Sequence, residues 1–152
     1  MPIRRVTTIQ EAIESLDFFN YFHDGFIKRL TVLSQDEFID RGEQRCSGEL
    51  QLEITFAHYN YQRDERPHSQ TVEARFESVK DLSITFSGNS HEWAINSLTI
   101  GETIRASEFG GEESCLKAAL TQSRLKDGRE WVLHEDLSFT FRSCTFNEVE
   151  TV

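Results

Sequence analysis

Long apolar runs, proline and paired cysteines are what this sequence has little of, and each shortage removes a class of protein. No stretch approaches the 18 or so apolar residues that a membrane-spanning helix needs, and Met1-Pro2-Ile3-Arg4-Arg5 leads into polar Thr7-Thr8 rather than an apolar signal core. The expectation is a cytoplasmic protein that is neither exported nor anchored. Cys46, Cys115 and Cys144 are odd in number and have no Cys-x-x-Cys spacing, which argues against a disulfide framework and against a zinc site built on paired thiolates. Gly110-Gly111 lacks the later Gly and the Lys of a phosphate loop, and no serine nucleophile elbow occurs. The five histidines, His23, His58, His68, His91 and His134, never form a His-x-His or His-x-x-x-His pair, so no single strand or helix presents two imidazoles on one face.

What the chain does have is charge of one sign and many phenylalanines. Twenty-six acidic residues against sixteen basic ones give a formal net charge of −10. The first 34 residues hold four of each, so the whole excess lies beyond them. A negative field of this kind repels nucleic-acid backbones and anionic membranes and favours basic partners, although solubility alone also explains it. Twelve Phe in 152 residues supply the packing volume of one compact domain spanning residues 1–152.

Ile9, Ala12, Ile13 and Leu16 recur at helical spacing, and Thr8 with Glu11 makes a capping box, so a helix is expected over 8–19. From Phe26 the period changes to two. Strands are expected over 26–33, 50–56, 71–77, 82–86 and 93–100, the last with a bulge or a break near Asn96. Residues 34–48 are polar and acidic and read as a connection; 63–68, with Pro67, read as a charged loop. Residues 112–122 fit either a helix or a strand. A strand is preferred because Lys126-Asp127-Gly128-Arg129 is a hairpin signal that wants a strand on each side; beyond it Trp131-Val132-Leu133 is apolar, and Leu137, Phe139 and Phe141 then alternate in a last strand. In Leu50, Leu52, Ile54 and Phe56, apolar residues alternate with Glu49, Gln51, Glu53 and Thr55, the mark of a sheet dry on one side only. The fold class is mainly β: an antiparallel sandwich or curled sheet over 26–146 with one N-terminal helix covering an open end or face.

Chemistry-bearing residues are sparse. His23 with Asp24, joined by His134 or by Glu135, would give a metal-assisted hydrolase its imidazoles and carboxylate. The commoner role of His-Asp-Gly at a helix-to-strand corner is to turn the backbone and satisfy it, with His23 bonding a carbonyl. Cys46 beside Arg45 is a weak thiolate candidate, and Trp93 with Trp131 would line a small-ligand pocket, core burial being the usual fate of such tryptophans. For binding, Asp36, Glu37 and Asp40 in the acidic connection, and Glu102, Glu108, Glu112 and Glu113 further on, would form a negative patch if the fold brings them to one side. His58, Tyr59 and Tyr61, at the end of the clearest strand, would add amphipathic contact area.

The run Phe22-His23-Asp24-Gly25-Phe26-Ile27, followed by a strand, resembles the opening of several families of small bacterial proteins, some grouped with immunity proteins of polymorphic toxin systems. The resemblance implies a cytoplasmic β-rich domain that binds and neutralises a toxin, and it carries over no catalytic residues. Taken together, the expectation is a non-enzymatic acidic domain with a protein partner of basic character and no cofactor. The metal-dependent hydrolase and the small-ligand module stand as alternatives.

Overall fold

The computed structural model describes residues 3–39, 43–45, 48–59, 69–85, 92–107 and 109–149. Among these residues, ten strands and one α-helix follow one another: β1 (Ile3–Val6), α1 (Ile9–Phe18), β2 (Phe26–Ser34), β3 (Glu37–Ile39), β4 (Glu43–Arg45), β5 (Leu50–Tyr59), β6 (Ser69–Ile84), β7 (Glu92–Ala106), β8 (Glu112–Lys126), β9 (Glu130–Phe141) and β10 (Ser143–Val149). The expectation of a mainly β chain with one N-terminal helix holds. Of the two forms considered, the curled sheet is the one present, an antiparallel half-barrel.

Its geometry follows from two long strands that bend together. β6 faces β9 and then β10 without changing edge, from Ile84 opposite Leu137 to Thr71 opposite Val149. Midway, Ser78 and Asp81 take positive φ, 56° and 53°, and the register slips between Lys80 and Ser83. Such bulges increase the local twist. The bend separates a leaf ordered β1-β10-β6-β5-β2 from a leaf ordered β6-β9-β8-β7. Phe76 lies at the bend with its ring edge-on to Phe139 and Phe141 of the second leaf and to Phe146 of the first, at centroid separations of 4.8, 5.0 and 6.1 Å. Seven fully buried Phe make this one core, each worth about 1.5–3 kcal/mol of burial. α1 packs against β1 and β7, and closes the mouth of the half-barrel with Ala12 and Leu16 inward.

Several expectations are corrected. The strand beginning at Phe26 is the second, because Ile3–Val6 already pairs with β10. Four residues with two arginines carry no readable alternation, and their partner lies some 140 residues away. The β region accordingly runs from Ile3 to Val149 rather than over 26–146. Residues 34–48 contain a small ladder, Glu37–Ile39 against Glu43–Arg45. The strands expected at 71–77 and 82–86 are one, because Lys80-Asp81 makes a bulge and not a stop. Residues 112–122 are strand, the bulge around Ile95 is present, and Asp127 and Gly128 turn the β8–β9 hairpin with positive φ at both positions, as a type I′ turn requires. The loop expected at 63–68 lies outside the described residues.

Candidate functional site

The His-Asp-Gly corner is built from strained backbone held by packing. After α1, Asn20, Tyr21 and Phe22 take φ of 51°, 54° and 55°, and Asp24 takes 64°. Left-handed conformations cost L-residues roughly 1–2 kcal/mol each, least for Asn and Asp. Phe22 offsets this by stacking on Phe56 at 4.2 Å and on Phe19 at 5.2 Å, fully buried. The edge of β7 then fixes the chain: Asp24 N–H donates to the Ile95 carbonyl at 2.9 Å, and Ile95 N–H donates to the Gly25 carbonyl at 2.8 Å. Within this frame His23 Nδ1–H donates to the Asn96 carbonyl at 2.8 Å, which makes Nδ1 the protonated nitrogen and leaves Nε2 3.6 Å from Asp24 Oδ2. Both side chains are exposed, and neither lines the clefts described below. His134 is not brought to them: it stands on β9 opposite Gln122, which in turn faces Ile95 on β7. Among the described residues no three His, Cys, Asp or Glu side chains converge as metal ligands.

The other candidate residues divide between the two ends of β5. Tyr59 is exposed at its last position, whereas Asp36 and Glu37 lie beyond its first, a strand length of about 30 Å away. Tyr61 and Asp40 lie outside the described residues, as do Cys46 and the side chain of Trp93. His58 does not join Tyr59 on the surface. It shares the inward parity of Leu52, Ile54 and Phe56, and its buried ring sits 5.3 Å from that of Phe22. Trp131, expected in the core, is 52% exposed, because β9 beyond the Thr121–Glu135 pair runs past the packed interior.

One carboxylate beside each acidic segment, Glu49 and Glu113, does meet the other, at a cation that no sequence motif marks. Lys80 Nζ, in the bend of β6, lies 3.7 Å from Glu49 and 3.8 Å from Glu113. Glu49 closes the β3–β4 hairpin, since its carbonyl accepts from Gln35 N–H while Asp36 Oδ1 accepts from Gly48 N–H. Glu113 belongs to the β7–β8 hairpin, where it accepts from Arg105 Nη1 at 2.6 Å. Arg105 Nε also donates to Asp81 at 3.0 Å, and Arg142 stands 3.7 Å from Glu113. Arg105 therefore holds the carboxyls of Asp81 and Glu113 below the usual carboxylate range, and its own pKa is raised by hydrogen bonding to both. Burial pushes the nearby Cys115 thiol up, the opposite of what a nucleophilic thiolate needs.

Each hairpin so anchored carries an exposed aromatic. Phe38 on β3 is 75% exposed and Phe109 is 99% exposed. Phe109 belongs to an ordered turn, in which Ser107 N–H donates to the Gly111 carbonyl at 3.0 Å and Gly110 N–H to the Ser107 carbonyl at 3.2 Å. Residues 34–50 contain five acidic and two basic side chains and residues 102–117 contain four and two, so the paired hairpins are negative around these aromatics. Two of the concavities among the described residues are sizeable, and the larger adjoins this network at Glu113 and Arg142. One, of about 540 Å³, separates the start of α1 from β8 and is lined by Gln10, Glu102, Glu113, Leu116 and Phe141. The other, of about 320 Å³, crosses the wet face of the first leaf among Arg29, Glu53, Glu73 and Arg75.

No helix among the described residues is long and apolar enough to cross a membrane. No protein-family model, curated protein or solved structure matches the chain.

Proposed function

We propose that this chain is a non-enzymatic, cytoplasmic protein-binding domain of bacterial type, which captures a basic protein partner on its two acidic hairpins and, in the manner of an immunity protein, neutralises a toxin by covering it. The observation that carries the reading is the Lys80 bridge: two acidic segments far apart in sequence are tied at their bases to one ammonium group. Phe38 and Phe109 then supply what charge alone lacks. Exposed aromatics are the residues interfaces favour as anchors, while surrounding carboxylates steer a basic partner and speed its encounter. A negative surface of this kind also disfavours nucleic acid.

The test is affinity capture from the native cell lysate at rising salt, run beside a Glu37→Lys/Glu112→Lys variant and a Phe109→Ala variant. Recovery of a basic protein that salt releases, and that both variants retain at least tenfold less well with unchanged melting temperature, is the expected result. Recovery of no partner, or of partners indifferent to salt and to both variants, removes the reading.

A further inference from the structure

We infer that β2 is a self-association edge, along which a second copy of this chain adds its own β2 in antiparallel register. Among the described residues, three strands of the main sheet have a single neighbour: β1, β2 and β7. α1 packs against both β1 and β7, and the Asp24-Gly25 backbone bonds β7 at Ile95. Among the described residues β2 packs along β5 and shows no such cover on its other edge, and it is nine residues long. An uncovered edge presents a row of backbone donors and acceptors ready for another strand.

The occupant follows from what β2 displays. Its regular part, paired to β5 without interruption from Arg29 to Ser34, exposes Val32 and Leu33, which are 41% and 43% exposed. Basic Lys28 and Arg29 stand at one end of this stretch, and acidic Asp36 and Glu37 follow its other end. Exposed aromatics stand further out on both sides, Phe26 and Phe38. A strand with opposite charges at its two ends is complementary to its own antiparallel copy. Pairing centred on Val32 sets Lys28 of each copy opposite Asp36 of the other and Phe26 opposite Phe38, with Arg29 diagonal to Glu37 and Val32 and Leu33 at the middle of the ladder. A parallel copy would set like charges side by side. The bulge at Lys28 works the same way, because an irregular, charged start to the strand discourages indiscriminate pairing while leaving the flat segment beyond it open. Cross-strand pairs of opposite charge and of apolar residues are the units that stabilise such a ladder. This inference does not depend on the heterologous partner proposed above.

Sedimentation velocity over a wide concentration range tests it. One strand pair buries less than a standard interface of about 1,600 Å², so the weight-average mass should climb from monomer toward dimer only as concentration rises. Two variants sharpen the test: Lys28→Glu/Arg29→Glu and Asp36→Lys/Glu37→Lys. Each alone places like charges at both ends of the pairing and should stay monomeric, but an equimolar mixture should form a heterodimer, which misfolded variants cannot do. A wild-type chain that is monomeric throughout, variants that dimerise as the wild type does, or a mixture no more associated than its components would each overturn the inference.

Discussion

Gly25 and Ile95 are joined by a backbone hydrogen bond of 2.8 Å, and the same glycine lies so close to β5 that a Cβ built on it would stand 2.9 Å from the Ala57 carbonyl oxygen. The corner is therefore a three-way junction of the α1–β2 connection, β5 and β7, and glycine is there for room. Its φ is not among the positive ones. Gly25→Ala should destabilise the fold by about 1–3 kcal/mol, the usual cost of overpacking against atoms that cannot give way. Urea unfolding of the variant checks this; an unchanged midpoint would mean that β5 yields.

The His23 contact makes a separate prediction. His23→Ala removes one donor to the Asn96 carbonyl and should cost about 0.5–1.5 kcal/mol, while Asp24→Val, which puts a β-branched residue at a φ of 64°, should cost about 1–2 kcal/mol. Both should lower the melting temperature and leave capture of the basic partner intact. A variant that loses the partner while keeping its melting temperature would move the functional site to this corner.

How far the sequence disclosed the fold depended on whether the deciding contact was local. β5 was legible because Leu52, Ile54 and Phe56 face the core while Glu53 and Thr55 face water, so the alternation reports burial directly. The helix start was legible because Thr8 accepts from Glu11 N–H three residues on, a contact contained within the cap. β6 was misread because Ser78 and Asp81 adopt left-handed backbone inside a strand, and residue type alone does not separate that from a turn. Lys80 was invisible as a site residue for the same reason at longer range: its two partners lie 31 positions before it and 33 after it. Nothing in its neighbours announces either one. The acidic segments themselves stood out from composition, but their convergence is a property of the bend.

Trp131 gives a direct measure of the difference between an apolar residue and a core residue. At 52% exposure, Trp131→Ser should cost clearly less than Leu98→Ala, which is fully buried on β7 and should cost about 2–5 kcal/mol. Thermal unfolding of both variants checks the pair. A large loss from Trp131→Ser would place it in an interface that persists in solution.

The Arg105 network contributes to the acid sensitivity of the fold. Asp81 and Glu113 have carboxyls lowered in the folded protein by their hydrogen bonds to Arg105, so in this range the unfolded chain binds more protons than the folded one. Stability from these groups is fully present above the ordinary carboxylate pKa of about 4 and is lost as pH falls through the lowered folded values. Urea midpoints measured from pH 6 downward, with pH 6 taken as roughly two units above that pKa, should stay level and then fall. In Arg105→Met the fall should be shallower, because the two carboxyls then titrate closer to their unfolded values; the variant should also be less stable at neutral pH, with Glu113 left beside Lys80 and Arg142 and Asp81 beside the Thr140 hydroxyl. Equal slopes in the two proteins would assign the acid sensitivity to other carboxyls, of which Glu11, lowered first by the Thr7 hydroxyl, is the next to test.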